Sequence, residues 1–426
     1  MRLLTIVFLF LYFANANELE NILEKKEIQK EKNDAKFEEL IKSGLEKHPS
    51  IALVNEAIKV ANSAVDSAKW GFFPTPSVDV SQKGSTTQTT ARLDQPIWTG
   101  GKLTSAYDVA SSKKDEMKIS LEESKYNLID NFIAVLQTYL VAKAQIEALT
   151  NGKAELLKFV SMLDRRIDAG ASSESDMSLL KSRISQIDSD LVAARSKLEL
   201  SKSQFEILSS IKVKDVTTNL SSKISKPIDI EEAISKLKAT SVVLRILEVQ
   251  TKTAEYEVDS AKARFMPNLS VRAEHTKGSI YDDSDNDEDN LIYFALTANT
   301  GAGLTLLSEV EGARAKVMQL KFQQLTKEKE LIELLVSHHN SMMASYNKAQ
   351  SLKNTILSSK EVLDSYSRLF VAGKKQWLDL VNASRELMQN NQELASQEAM
   401  VKVLKYKLAL TIGDIDLENG ELKNDL

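Results

Sequence analysis

The chain has 426 residues, no cysteine and a formal net charge of −5 at pH 7. The mixed, slightly negative charge argues against nucleic-acid binding. The absence of cysteine excludes disulfide cross-links and the lipid-attachment cysteine of a bacterial lipoprotein. Only 14 glycines and 6 prolines occur, and this composition is typical of long helices and coiled coils.

The N-terminus predicts a secretory signal peptide at residues 1–16. Arg2 precedes an apolar stretch at 3–13, and Ala14-Asn15-Ala16 has the small residues of a cleavage site. The apolar stretch is shorter than the roughly 20 residues that span a bilayer, which favours cleavage over a single anchoring helix. No other segment is expected to approach a transmembrane helix. Residues 17–36 are interpreted as a charged lead-in with no clear packing face.

Two copies of one unit follow the lead-in. The sequence VDSAK at 65–69 recurs at 258–262, and FFP at 72–74 is matched by FMP at 265–267, both at a shift of 193 positions. A duplication on this scale predicts a repeated fold unit. The segments are repeat one (37–210), a linker (211–230), repeat two (231–410) and a short polar C-terminal tail (411–426).

Each repeat predicts a long helical hairpin. Proline is absent between positions 97 and 226 and again after 267, so both stretches are free to form long helices. Apolar residues recur every seven positions from Leu121 to Leu163 and from Leu335 to Phe370, which is typical of a coiled-coil seam. A helix over 102–168 has 67 residues and a length of about 100 Å.

Each repeat also predicts a β-hairpin before its long helix, at about 77–97 and about 268–299, because polar and apolar residues alternate there. The second hairpin is ten residues longer, which the acidic stretch 281–290 accounts for. Four strands cannot close a barrel, and lipid does not tolerate an open sheet edge. Three chains would supply twelve strands, an allowed barrel size. Aromatic residues near the strand ends are expected to form interfacial girdles: Trp98, Tyr281, Tyr293 and Phe294.

With these elements the sequence resembles the TolC family of outer-membrane efflux and secretion channels, over about residues 37–413. The duplication and the FFP and FMP motifs carry the resemblance, together with QPIWTGGK at 95–102. That segment is similar to the place where a strand of the family swivels into the long helix. The corresponding residues are Pro96, Trp98, Gly100 and Gly101, with Gly301 and Gly303 as a weaker match in repeat two.

The resemblance implies a mainly α fold with a small β part. A homotrimer would form a 12-stranded outer-membrane β-barrel continued by a periplasmic α-helical barrel in a Gram-negative bacterium. It implies a passive conduit for protein or small-molecule cargo, opened by a periplasmic adaptor and an inner-membrane ABC or proton-driven pump. The stretch 165–183 resembles the branch that serves type I secretion, including adhesin export. Neither a cofactor nor a nucleic-acid partner is expected.

The resemblance also predicts a periplasmic gate at the two helical turns, near 168–177 and 371–379. Ser175 and Asp176 match tip positions of repeat one, Lys375 matches their basic partner, and Asp379 matches an acidic residue of the constriction. Helix N-terminal capping is the alternative role for both aspartates. Phe370 stands where the family can have a tyrosine, and Asn382 where it can have a second acidic ring. The predicted gate residues are Gly170, Ser175, Asp176, Phe370, Gly373, Lys375, Asp379 and Asn382.

Other candidate sites are weaker. Three aspartates within 283–287 begin like an EF-hand calcium loop, but Glu288 and Phe294 occupy the positions of its glycine and final glutamate, so a solvated loop is expected. The adjacent histidines His338-His339 face different directions on a helix and lack a third ligand, so no metal site is expected. The sequence contains no nucleophile–base pair, phosphate loop or cofactor fingerprint, which indicates a protein without enzymatic activity.

Two other classes of protein also use long exported helices. A periplasmic adaptor of the same machines has a helical hairpin, but usually one hairpin between β-rich domains. A purely structural coiled coil has no use for alternating strands at matching places in both repeats. Both alternatives are therefore less consistent with the sequence than the channel.

Overall fold

The computed structural model describes residues 32–83, 86–218, 220, 229–278, 288–298 and 305–423. Long helices dominate these residues, and short strands make up a small β part. In chain order the elements are β1 (Lys32–Lys36), α1 (Phe37–Lys47), α2 (Pro49–Trp70), β2 (Thr75–Lys83), β3 (Thr86–Trp98), α3 (Lys102–Asp168), α4 (Glu174–Ser209), β4 (Val213–Thr217), α5 (Ile230–Thr240), α6 (Val242–Ala263), β5 (Asn268–Lys277), β6 (Glu288–Thr297), α7 (Thr305–Val371) and α8 (Trp377–Thr411).

The two copies have the same plan. Each has an 11-residue helix, a 22-residue helix, a β-hairpin, a 67-residue helix and a returning helix of 36 or 35 residues. The long helix α3 covers the range predicted from the heptads. The duplication in sequence is therefore a duplication of structure.

The helices form one layer whose order changes along its length. Near the strands, the neighbours are α2, α3, α6 and α7 in that order. Towards the helical turns, α4 replaces α2 beside α3, and α8 replaces α6, so the order is α4, α3, α8 and α7. The long helices α3 and α7 run through both parts. One edge of the layer is therefore α7, and the other is α2 followed by α4.

The heptad rows form the seams of this layer. In α3, five members of the row that starts at Leu121 are buried as far as the turn: Leu128, Ala142, Leu149, Leu156 and Leu163. One stretch of α3 is apolar enough, by length and composition alone, to cross a membrane. The expectation that no segment beyond the signal approaches such a composition is therefore wrong. The reason is that α3 packs on helices on two sides and needs a broad apolar surface.

The two hairpins join into one antiparallel sheet with strand order β2-β3-β5-β6. Within the sheet, β3 pairs with β5 from Thr89–Lys277 to Trp98–Leu269 and so links the two copies. The strands lie close to the predicted hairpins, although β2 already begins at Thr75. Strands β2 and β6 are left as unpaired edges within one chain.

A second sheet was not predicted. The lead-in and the linker each contribute five residues, which pair in parallel as β1 and β4. Ala35 is fully buried, and Val216 is 3% exposed. The lead-in therefore has a packing face at its end, and part of the linker is a strand. The tail is also packed, because Ile415 is 2% exposed and pairs with Leu422.

Two buried tyrosines tie this sheet to the helices. The Tyr139 hydroxyl of α3 donates to Asp215 of β4 and accepts from the Val216 amide at 2.9 Å. The Tyr406 hydroxyl of α8 donates to Glu38 of α1 at 2.8 Å and lies 3.0 Å from the hydroxyl of Thr218, directly after β4. Burial, together with the neighbouring carboxylates, raises the pKa of both tyrosines, so both remain protonated donors.

Candidate functional site

The helical turns have matching geometry in the two copies. Gly170 and Gly373 both have positive φ, 70° and 73°. After each glycine, the same backbone hydrogen bond closes the end of the helix. Ala171 N donates to Arg166 O at 2.7 Å, and Lys374 N donates to Leu369 O at 2.8 Å. These are Schellman-type helix ends, which explains the glycine at both positions. Together the two turns make up the hairpin tip.

On the helical hairpin of repeat one, formed by α3 and α4 and called hairpin one, the predicted gate residues Ser175 and Asp176 lie at a capped helix N-terminus. The Ser173 hydroxyl accepts from the Asp176 amide at 3.3 Å, and the Asp176 carboxylate accepts from the Ser173 amide at 3.2 Å. Ser175 lies beside them, with its hydroxyl 2.6 Å from that of Ser173. This is a capping box at the start of α4, and it is the alternative role expected for Asp176.

On the helical hairpin of repeat two, formed by α7 and α8 and called hairpin two, the predicted gate residues Lys375 and Asp379 contact each other. The Lys375 ammonium lies 3.4 Å from Asp379 Oδ2 and 4.3 Å from the centre of the Tyr366 ring. Asn382 is exposed on the same helix. Within the described part of one chain, Asp176 and Lys375 have separate partners and do not contact each other. The predicted acid–base link between Asp176 and Lys375 is therefore not formed within one chain in the described residues.

Arg166 joins the two hairpins and was missed from the sequence. Its Nη1 donates to Phe370 O at 2.9 Å and to Val371 O at 3.3 Å, the last carbonyls of α7. Its guanidinium also lies 4.5 Å from the centre of the Phe370 ring. On its own hairpin it donates to Ala171 O and to the Ser172 hydroxyl. The acceptors are mainly backbone carbonyls, which have no sequence signature.

An aromatic cluster lies beneath this arginine. Phe370 is 2% exposed and packs 5.5 Å from Trp377, which packs 6.0 Å from Phe159 of α3. Phe370 thus fills the seam between the hairpins, where a tyrosine hydroxyl would need a partner. The Trp377 indole N–H is buried without a hydrogen-bond partner among the described residues. The tip is therefore held by apolar packing capped by one guanidinium.

The predicted swivel contains a bulge and a sharp turn. Pro96 pairs with Ser270, but Trp98 pairs with Leu269, so Ile97 is an extra residue that moves Trp98 to the other face of the sheet. Gly100 and Gly101 follow with φ of 60° and 93° and lead directly into α3. A Cβ on Gly100 would lie 2.0 Å from Met266 Cβ, so only glycine fits there. Gly301 and Gly303 lie outside the described residues.

The four-stranded sheet has two chemically different faces. Paired residues share a face, so the register assigns every side chain to one face or the other. One face carries Val78, Val80, Leu93, Val271, Ala273, Ile292, Phe294 and Leu296, with Gln95 among them and with the polar residues Gln82, Thr89, His275, Lys277, Glu288 and Asn290 towards the hairpin turns. The other carries Ser77, Asp79, Ser81, Arg92, Asp94, Arg272, Glu274 and Tyr293, with Leu291 as an apolar exception. Ile292 and Phe294 are 81% and 75% exposed, so the apolar face is uncovered in one chain.

The sheet register also separates the predicted girdle residues. Trp98 and Phe294 lie on the apolar face, whereas Tyr293 lies on the polar face and donates to Glu274 at 3.0 Å. Tyr281 and residues 282–287 of the acidic stretch lie outside the described residues. The remaining residues of that stretch, 288–290, belong to β6 rather than to a loop.

No metal centre is present among the described residues, where no group of three His, Cys, Asp or Glu side chains comes together. His338 Nδ1 is buried without a partner in this part of the chain, and burial lowers the pKa of this histidine. A neutral, isolated imidazole between helices is typical of core packing rather than of metal ligation.

An uncovered apolar sheet face, a polar opposite face and about 100 Å of helix below define the subunit of a membrane channel with a long extramembrane part. The chain belongs to the outer membrane efflux protein family, whose model matches residues 40–205 and 233–413. As a member of this family, the protein is an outer-membrane channel with a long periplasmic helical part, and it is not an enzyme.

Solved structures of such channels share the fold at low sequence identity. The outer membrane protein VceC of Vibrio cholerae is 15% identical with a TM-score of 0.75, covering 88% of this chain and 96% of that one. The CmeC outer membrane channel of Campylobacter jejuni is 12% identical, with a TM-score of 0.72 and coverages of 92% and 87%. The open state of the Neisseria gonorrhoeae MtrE channel is 14% identical, with a TM-score of 0.70 and coverages of 92% and 90%. The comparison with curated proteins finds no match.

Proposed function

We propose that three copies of this chain assemble head to tail into a passive conduit from periplasm to exterior. Their sheets would close a 12-stranded barrel in the outer membrane, and their helices a tube in the periplasm. An adaptor and an inner-membrane pump would open the tube at its tip. Two or four copies would give 8 or 16 strands, also allowed barrel sizes, and the TolC-family resemblance favours three.

The observation that carries this proposal is the common order of the layers. In the sheet the outer strands are β2 and β6. In the helical layer the outer helices are α2 and α4 on the side of repeat one, and α7 on the side of repeat two. Each layer therefore has a repeat-one edge and a repeat-two edge on the same sides. A single rotation that brings β6 onto a neighbouring β2 also brings α7 onto the neighbouring α2 and α4.

Exposed apolar side chains lie on these edges. Val60 on α2 is 71% exposed, Ile207 on α4 is 72% exposed, and Phe322 on α7 is 62% exposed. At 100° per residue, each lies on the side of its helix away from the buried row. Single exposed apolar residues need no explanation, but rows on both edges of one layer indicate surfaces that are covered in the assembly.

At the tip, we propose that the gate combines contacts within and between subunits. Arg166 would hold the two hairpins of one chain together, and Asp176 of one subunit would approach Lys375 of the next. The ring of three Asp379 carboxylates would line the constriction and attract cations. A closed-state conductance above that of the wild type in both Asp176→Ala and Lys375→Ala would support the link between subunits. Closed-state conductance unchanged from wild type in both variants would leave Asp176 as a helix cap only.

Type I secretion is the branch that we propose within this role, since the tip segment 165–183 resembles that branch. The runner-up is drug efflux, which uses the same conduit with a proton-driven pump. Co-purification after cross-linking in cells separates the two, because an ABC exporter and its adaptor would be recovered in the first case only.

The assembly is tested by the mass and heat stability of the purified outer-membrane protein. Phe322→Asp places a charge on the α7 edge in every interface and is expected to lower the temperature at which the oligomer dissociates. Leu157→Asp is the matched control, because Leu157 is also half-exposed, at 49%, but lies on α3 inside the layer and not on an edge. A wild-type protein recovered as a soluble periplasmic monomer would refute the proposal.

A further inference from the structure

The polar face of the sheet carries two ion pairs across the junction between the copies. Arg272 donates to Asp94 Oδ2 through Nη2 at 2.6 Å and through Nε at 2.9 Å. One step along the strands, Arg92 Nε lies 3.4 Å from Glu274 Oε2. Both pairs join β3 to β5, and in each pair the two residues are direct cross-strand partners. The charges of these side chains therefore alternate in sign along each of the two strands.

Tyr293 of β6 connects the two pairs. Its hydroxyl donates to Glu274 Oε2 at 3.0 Å, and the Arg272 guanidinium lies 6.0 Å from the centre of its ring. The charged side chains are 20–33% exposed, so each lies against the sheet and still faces solvent. Every charge in this group has an opposite charge within hydrogen-bonding distance, and the four charges sum to zero.

We propose that these pairs form a charge-compensated band around the membrane pore, which makes the barrel wall at this level indifferent to the sign of its cargo. This inference rests on the proposed function, because the polar face becomes the lumen only when the sheet closes. In three copies the band holds six positive and six negative groups. Hydrophilic cargo of either charge would pass the band, and selection by charge would be left to the tip and to Asp79 and Asp289, which lie on the same face outside the band.

Each charge of the band would influence ion selectivity strongly if its partner were removed. Removal of one carboxylate leaves an unpaired arginine, and the trimer repeats it three times around the pore. Three unit charges roughly 10 Å from the axis, screened at 0.1 M salt, change the ratio of anion to cation permeability by about fourfold. In 1 M salt the shorter screening length removes most of this effect.

The opposite face of the same strands offers a matched control. The Lys277 ammonium lies 2.9 Å from Glu288 Oε1, and this cross-strand pair joins β5 to β6 on the face that carries Ile292 and Phe294. Like the Arg272–Asp94 pair it joins a cation to a carboxylate across two strands, although its side chains are more exposed, at 61% and 53%. If the polar face lines the pore, neutralising Lys277 changes a charge outside the pore and leaves selectivity unaltered.

The experiment measures reversal potentials of the full-length oligomer in planar bilayers under a KCl gradient. Asp94→Asn is expected to shift selectivity about fourfold towards anions at 0.1 M salt, and Arg272→Gln by a similar factor towards cations. The swapped pair, Asp94→Arg with Arg272→Asp, is expected to restore the wild-type ratio. Lys277→Gln is expected to have no effect.

Equal selectivity in wild type, Asp94→Asn and Arg272→Gln would overturn the inference, as would a Lys277→Gln shift as large as that of Arg272→Gln. Heat stability of each oligomer is recorded in parallel. A swapped pair that restores stability but not selectivity would show that the ion pairs serve sheet packing only. A wild-type protein without any conductance would count against the channel itself and not against the band.

Discussion

Arg166 is predicted to be the main contact that holds the two hairpins of one subunit together at the tip. Arg166→Gln removes the guanidinium from two carbonyls of α7 and from the Phe370 ring. Hydrogen bonds to a charged group contribute about 1.5–3 kcal/mol each when well formed, and an exposed cation–π contact about 0.5–1 kcal/mol. The bond to Val371 is long, and the side chain is half-buried, so the low end applies.

The bond to Phe370 at about 1.5 kcal/mol and the ring contact at about 0.5 kcal/mol, with the long bond to Val371 left out, give about 2 kcal/mol per subunit for the coupling between hairpins. This corresponds to roughly a 30-fold change in the ratio of open to closed tips. Arg166→Gln is therefore expected to raise the closed-state conductance in planar bilayers and the sensitivity of cells to large antibiotics. Arg166→Lys is expected to resemble it, because an ammonium keeps the charge but loses the forked geometry and the stacking.

The neighbouring arginine provides the control. Arg165 is exposed and donates to Ser161 O of its own helix at 3.1 Å, so Arg165→Gln removes the same charge without touching hairpin two. A leak that is raised equally in Arg165→Gln and Arg166→Gln would show that the net charge at the tip matters and that the contact between the hairpins does not. Unchanged leak in both would refute the reasoning altogether.

Three further predictions concern stability and assembly. Phe132 is fully buried, so Phe132→Ala is expected to cost about 3–5 kcal/mol and to lower the unfolding temperature, whereas Leu378→Ala at the exposed tip is not. Burial raises the pKa of Asp215, but hydrogen bonds from Lys143 and Tyr139 lower it more, so that the net shift is downward from its ordinary value. A carboxylate with a lowered folded-state pKa stabilises the native state above its unfolded pKa, and this contribution is lost as pH falls through the folded value, so Asp215→Asn should flatten the acid limb of the stability profile below about pH 4. An unchanged acid limb would contradict this. Gly100→Ala is expected to impair assembly more than Gly101→Ala, because a Cβ meets Met266 at 2.0 Å in the first case and nothing closer than 3.8 Å in the second. Equal yields of oligomer in outer-membrane fractions would show that the swivel tolerates a side chain.

The helices and strands could be predicted because their signals are local and repeated. Heptads, the absence of proline and the glycine at each turn determine α3 from Lys102 to Asp168, and alternation determines the two faces of the sheet. The bulge at Ile97 could not be predicted, because it depends on how β3 meets β5. The same holds for Arg166, whose partners are backbone carbonyls about 200 positions away. Asp176 shows the converse limit, since one residue pattern fits both a helix cap and a gate.

The unpredicted elements follow from the geometry of the duplication. In each copy a long helix of about 100 Å is accompanied by two shorter helices end to end, such as α2 and α4 with 22 and 36 residues. These two cover about 87 Å, so a gap remains where α2 begins and α4 ends. An unfilled gap would expose apolar residues of α3 such as Phe132. The elements α1, β1 and β4 fill the gap and bury these residues. The same level holds the connection between the copies. The linker and the lead-in are therefore structured because the long helices would otherwise be uncovered there.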